Sequence, residues 1–136
     1  MKDGTKILIV DDDRDIVEGM RVVLESKGCR VFAGFDYDEG LAKVREVKPD
    51  LLILDAMLLL HQKTGFELSQ EIRKDPATKD IPILMVSAVN ETPAGFEFSP
   101  IPGGEHMSVD DFIDKPVRPD VLFSKIEKLL ASGAGR

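Results

Sequence analysis

The chain is predicted to fold as a doubly wound α/β domain around a five-stranded parallel sheet, and three observations carry that expectation. The runs Lys6-Ile7-Leu8-Ile9-Val10 and Leu51-Leu52-Ile53-Leu54 are apolar almost throughout, which is how strands buried on both faces of a parallel sheet read. Such runs alternate with stripes at helical spacing, joined by short connections, the pattern of successive βαβ units. Both runs also finish in carboxylates, Asp11-Asp12-Asp13 and Asp55, where sheets of this kind bind their ligands, beyond the carboxyl ends of the strands.

After the first strand, Ile16, Met20, Val23 and Leu24 form an apolar helical stripe up to about Lys27, and Gly28 is placed to end that helix in a left-handed conformation. Arg30 to Ala33 reads as a second strand. Asp36 or Asp38 can cap a helix carrying Leu41, Val44 and Val47, stopped by Pro49. Leu51 to Leu54 is the third strand, and after a loop to Gly65 a helix turns Leu68 and Ile72 to the core before Pro76 breaks it. Ile81 to Ser87 is the fourth strand and Phe112-Ile113 a short fifth. Pro119 suits a first helical turn, and Val121, Leu122, Ile126, Leu129 and Leu130 run along a closing helix. One domain over residues 1–136 is expected, with its core in 6–130 and a frayed tail at 131–136.

Five strands so arranged suggest the flavodoxin-like order 2-1-3-4-5, whose switch point lies between strands one and three. Those are the two strands that end in aspartate, so several carboxylates share one crevice. Like charges at that range repel unless neutralised. Mg²⁺, a hard cation that takes a few carboxylates and a phosphoryl oxygen, is the expected counter-charge.

Composition sets bounds on function. The 136 residues carry 18 basic and 25 acidic side chains, a formal charge of −7, which argues against direct nucleic-acid binding. A lone Cys29 excludes a disulfide framework and reads as a buried thiol. No apolar run reaches the roughly 18 residues of a membrane span, and the first residues lack the apolar stretch of a signal peptide. A cytoplasmic domain without membrane contact is expected.

Val10-Asp11-Asp12 after strand one, Leu54-Asp55 after strand three, Val86-Ser87-Ala88 after strand four and Lys115-Pro116 after strand five, with Phe112 three residues before the lysine, together resemble the receiver domain of bacterial two-component response regulators. The resemblance covers Lys6 to about Leu130 and is to the stand-alone, chemotaxis-regulator-like type. It implies that Asp55 is the nucleophile taking a phosphoryl group from a phosphohistidine. Mg²⁺ would be held by Asp12, Asp55 and the main-chain carbonyl of Met57, with Asp11 orienting a bound water. Lys115 would pair with Asp55 and then with the phosphoryl oxygens, Ser87 would offer its hydroxyl to one of them, and Phe112 would be the switch aromatic. A cis bond at Lys115-Pro116 is also implied. The implied partners are a sensor histidine kinase or phosphotransfer protein and an unknown downstream protein, for a chain that is a monomer or weak dimer. It would be a signalling phosphoacceptor rather than an enzyme acting on other substrates.

Rival readings fit less well. A haloacid-dehalogenase phosphatase needs a second aspartate where Met57 stands, a flavodoxin needs a hydroxyl- and glycine-rich loop after strand one, and nothing matches a P-loop. A degenerate receiver, binding partners without phosphorylation, is the remaining alternative. Asp13 and Asp15 read as first-turn helix charges, and His61 and His106 as surface side chains.

Two segments depart from the receiver pattern. Leu59 stands where receivers carry proline, and Gly65 comes ten residues after Asp55, so a longer loop is expected, with Leu58-Leu59-Leu60 tucked against the third helix. Between residues 90 and 107 the fourth helix of the family is expected to be short, displaced or absent. Pro93, Pro100 and Pro102 each oppose a helix by about 3 kcal/mol, and Gly95, Gly103 and Gly104 add roughly 1 kcal/mol each. A loop in which Phe96, Phe98 and Ile101 cover the sheet edge is expected instead. Apolar Met57 and Val89 at the mouth of the site predict slow loss of the phosphoryl group.

Overall fold

A computed structural model of the chain describes residues 3–56, 64–87 and 108–131. Its strands are β1 (Lys6–Val10), β2 (Arg30–Gly34), β3 (Leu51–Asp55), β4 (Ile83–Ser87) and β5 (Asp111–Asp114); its helices are α1 (Arg14–Glu25), α2 (Tyr37–Val47), α3 (Gly65–Lys74) and α4 (Pro119–Ala131). The strands make one sheet in the order β2-β1-β3-β4-β5, all parallel, which is the predicted order. The expectations for residues 57–63 and 88–107, including the helix between β4 and β5, lie outside the described residues.

Alternation along each strand builds two cores. Ile7, Ile9, Leu51, Ile53, Leu84 and Val86 pack with Val17, Met20 and Leu24 of α1 and Leu122, Ile126 and Leu129 of α4. Leu8, Val10, Leu52, Leu54, Ile83 and Met85 face the other way, onto Val44 of α2 and Leu68 and Ile72 of α3. Both faces are thus covered, which is why these strands read as unbroken apolar runs.

Helix termini follow local chemistry. Asp13 caps α1, its carboxylate accepting from the backbone of Asp15 and Ile16. Gly28, at φ +86°, closes the helix with bonds from its own N–H to Glu25 and from Cys29 N–H to the Leu24 carbonyl, the paired pattern of a Schellman stop. Asp36, rather than Asp38, caps α2. Thr64 and Glu67 form a reciprocal capping box at the start of α3.

Several strand boundaries and one helix face differ from expectation. β2 runs on to Gly34 and β5 gains a residue at each end. β4 begins at Ile83, not Ile81, because Ile81 N–H is used in a turn to the Thr78 carbonyl and Pro82 has no N–H to give a ladder. The core face of α1 is Val17, Met20 and Leu24, while Ile16 and Val23 sit half-buried at its margin. Cys29 is buried, as expected. Among the described residues no helix is long and apolar enough to cross a membrane.

Candidate functional site

The site is built where β1, β3, β4 and β5 end. Asp11 leaves β1 with its N–H bonded to the Gly34 carbonyl at 3.1 Å, which fixes the turn from strand to α1. Its Oδ1 accepts from Asp13 N–H at 2.9 Å. Its Oδ2 is buried and has no hydrogen-bond partner among the described residues, in a residue only 1% exposed. A buried oxygen left unpaired is costly and points to a ligand that completes it. Burial pushes the Asp11 carboxyl up to about 7, the N–H of Asp13 opposing it and the Asp55 charge adding to it.

Asp55 is the last residue of β3 and 3% exposed. Lys115 Nζ donates to its Oδ1 at 3.4 Å, a long charge pair at the sheet end. Asp12 is exposed, beside them. Carboxylate oxygens of Asp11, Asp12 and Asp55 all lie within 4.8 Å of one another, a spacing that suits an oxygen-ligated divalent cation.

Ser87 ends β4, buried, and its carbonyl accepts Lys115 N–H at 3.0 Å. That bond aligns the end of β5 with the end of β4. The Lys115-Pro116 peptide is cis, as the resemblance implied. Phe112 pairs with Met85 across the sheet, and its ring stands 6.3 Å from that of Phe66. Met57 and Val89 lie outside the described residues, as do His61 and His106.

Gly65 matters more than its sequence position suggested. A Cβ there would run into the backbone carbonyl of Asp55, and Gly65 N–H bonds to the Ala56 carbonyl at 3.1 Å. The start of α3 is therefore seated directly on the backbone that carries Asp55.

With this geometry in hand, comparison with known proteins is decisive: the family described as response regulator receiver domain matches residues 7–127. The chain belongs to that family. The receiver is 36% identical over 127 residues to the phosphate regulon transcriptional regulatory protein PhoB of Pseudomonas aeruginosa, covering 93% of this chain and 52% of that protein. Among solved structures it resembles a putative response regulator from Chloroflexus aurantiacus, with a TM-score of 0.77, 30% identity and coverage of 94% and 98%. It also resembles a CheY-like receiver domain protein from Methanospirillum hungatei, with a TM-score of 0.76, 27% identity and coverage of 96% of each chain. The receiver spans about half the length of the curated relatives it matches.

Two features of this receiver escaped the sequence reading. Arg14 lays its guanidinium 3.9 Å from the centre of the Phe35 ring, bracing the turn after β1 against that after β2. Arg73 of α3 and Asp110 form an ion pair at 2.7 Å, far apart in sequence and without a local signal to announce it.

Proposed function

We propose that this receiver accepts a phosphoryl group on Asp55 from a phosphohistidine of a sensor histidine kinase or phosphotransfer protein, and then changes the surface it offers to a downstream protein. The observation that carries the reading is the convergence of Asp55, Asp11, Asp12 and Lys115 at one sheet end, with a buried carboxylate oxygen unpaired among the described residues.

The chain's residues have distinct tasks. An Asp55 carboxylate oxygen attacks phosphorus while the phosphorus–nitrogen bond to histidine breaks, its electron pair passing to the imidazole. A carboxylate is a weak nucleophile, so positioning and neutralisation of charge matter most. Asp12 and Asp55 would hold Mg²⁺, with Asp11 through a bound water and with the main-chain carbonyl of Met57. Bound there, Mg²⁺ supplies positive charge against the oxygens of the transferring group. Lys115 exchanges its pairing with Asp55 for one with the phosphoryl oxygens. Ser87 donates its hydroxyl to a phosphoryl oxygen, and Phe112 repacks in response. The chain catalyses only the gain and loss of its own phosphoryl group.

A cytoplasmic setting, with a kinase and a protein target as partners, fits this role. Several matched relatives are named as DNA-binding or transcriptional regulators, but the acidic balance of this chain argues against nucleic acid as its own ligand.

Intact mass after incubation with acetyl phosphate and Mg²⁺ tests the reading. One phosphate adduct is expected on the wild type and none on Asp55→Asn. Asp12→Ala should abolish Mg²⁺ binding near neutral pH, because the remaining carboxylates cannot complete the ligand set. A wild-type chain that takes no adduct would favour the alternative, a receiver that binds partners without phosphorylation.

A further inference from the structure

α3 reaches both the phosphoacceptor strand and the strand that carries the switch aromatic. Gly65 sits on the Asp55 carbonyl, and Phe66 places its ring beside Phe112. Ser69, fully buried, donates to the Phe66 carbonyl at 2.6 Å and pairs with the Ser108 hydroxyl. Positions 66, 69 and 73 recur at helical spacing, so they share one face.

At the far end of that face Arg73 uses its whole fork. Nε donates to the Ser108 carbonyl at 3.1 Å, one Nη to the carbonyls of Lys79 and Ile81 at 2.7 and 2.6 Å, and the other to Asp110 Oδ2 at 2.7 Å. The same Asp110 oxygen accepts Ile83 N–H at 2.8 Å, and Asp110 N–H returns a bond to the Ile83 carbonyl at 2.9 Å. The starts of β4 and β5 are thus tied to each other and to α3, at the sheet end opposite the phosphorylation site. With Arg73 and Asp110 side chains only 20% and 11% exposed, water competes poorly for these bonds. A lysine could offer charge there but not the planar fork that four acceptors engage.

We propose that Arg73 is a positioning residue for the switch: by holding Ser108 and Asp110 on α3, the latter two residues before Phe112, it fixes the start of β5. This rests on the phosphoacceptor reading. A ring that moves between two discrete packings transmits a signal only if the strand beneath it stays in register. With the clamp in place, the change at Asp55 and Ser87 is expressed by the Phe112 ring. Without it, the strand start yields and the change dissipates along β5.

The test uses the full chain labelled with fluorophenylalanine, the Phe112 ¹⁹F resonance being identified by its loss in Phe112→Leu. Spectra are taken before and after acetyl phosphate and Mg²⁺, with the adduct counted by intact mass. Arg73→Gln is expected to take the adduct as fully as wild type yet lose most of the phosphorylation-dependent shift of Phe112, and Arg73→Lys should not restore it. A role in stability alone predicts a lower urea midpoint with the Phe112 response intact, and that result overturns the proposal. Should Arg73→Gln not fold, Asp110→Asn takes its place: a reduced response supports the clamp, a full one overturns it. A wild-type chain with adduct but no Phe112 shift also overturns the proposal. A wild-type chain without adduct overturns the phosphoacceptor reading and the clamp with it.

Discussion

At the scale of single residues, Gly65 shows how a position can serve the site without carrying any chemistry. Its φ is not positive, so a side chain there would not strain the backbone; the obstacle is the carbonyl of Asp55 itself. A backbone atom cannot swing aside as the tip of a long side chain can. Gly65→Ala should therefore push α3 away from β3 and destabilise the domain by about 1–3 kcal/mol, the usual range for overpacking. Phosphorylation by acetyl phosphate should slow as well, since the shift falls on the peptide group of the proposed nucleophile. A urea midpoint equal to that of wild type would refute the close approach. The sequence showed the glycine but not its neighbour. By contrast Asp11, Asp12, Asp55 and Lys115 were legible, because each closes an apolar run or follows one, and the strand order brings those ends together.

At the scale of elements, legibility depended on how local the deciding interaction is. Asp13, expected as a first-turn charge, is the cap itself, whereas Gly28 as stop could be read from position alone, because the groups it satisfies lie within a few residues. The start of β4 could not, since it turns on whether Ile81 spends its N–H in a turn or in the ladder. The α1 stripe was placed a few tens of degrees off, because Val22, Val23, Ile16 and Val17 are all apolar and pattern alone cannot rank them. Their surroundings do rank them: Val17 is fully buried, and Val22 is 67% exposed. The same substitution should therefore give opposite results on one helix. Val17→Ala should cost about 2 kcal/mol, from lost methylene burial plus the cavity left behind, and Val22→Ala should stay within about 0.5 kcal/mol of wild type. Urea titration of the two variants side by side checks the assignment; equal losses would mean the helix is rotated from the position described.

At the scale of the whole molecule, the fold gathers its acidic strand ends at one sheet end, with Asp11 and Asp55 buried, and so links its stability to pH and, on the proposed reading, to metal. The Asp11 carboxyl, raised by burial from 3.8 to about 7, holds in the folded metal-free chain a proton that the unfolded chain releases near pH 4. Between those values the folded state binds more protons than the unfolded one, so stability falls as pH rises. Below about pH 4 both states are protonated and Asp11 contributes nothing; above about pH 7 the full penalty is present, on the order of a few kcal/mol. A divalent cation bound there would reverse the trend, because it requires the ionised carboxylates and competes with the proton. Urea midpoints in chelator should therefore drop between pH 5 and pH 8, while saturating Mg²⁺ should stabilise the chain more at pH 8 than at pH 5. Asp11→Asn keeps the shape and removes the titration, so its metal-free midpoint should vary little over that range and exceed wild type at pH 8. An Asp11→Asn chain with the same downward slope as wild type would place the linkage on another group and remove Asp11 as the residue that couples the fold to its ligand.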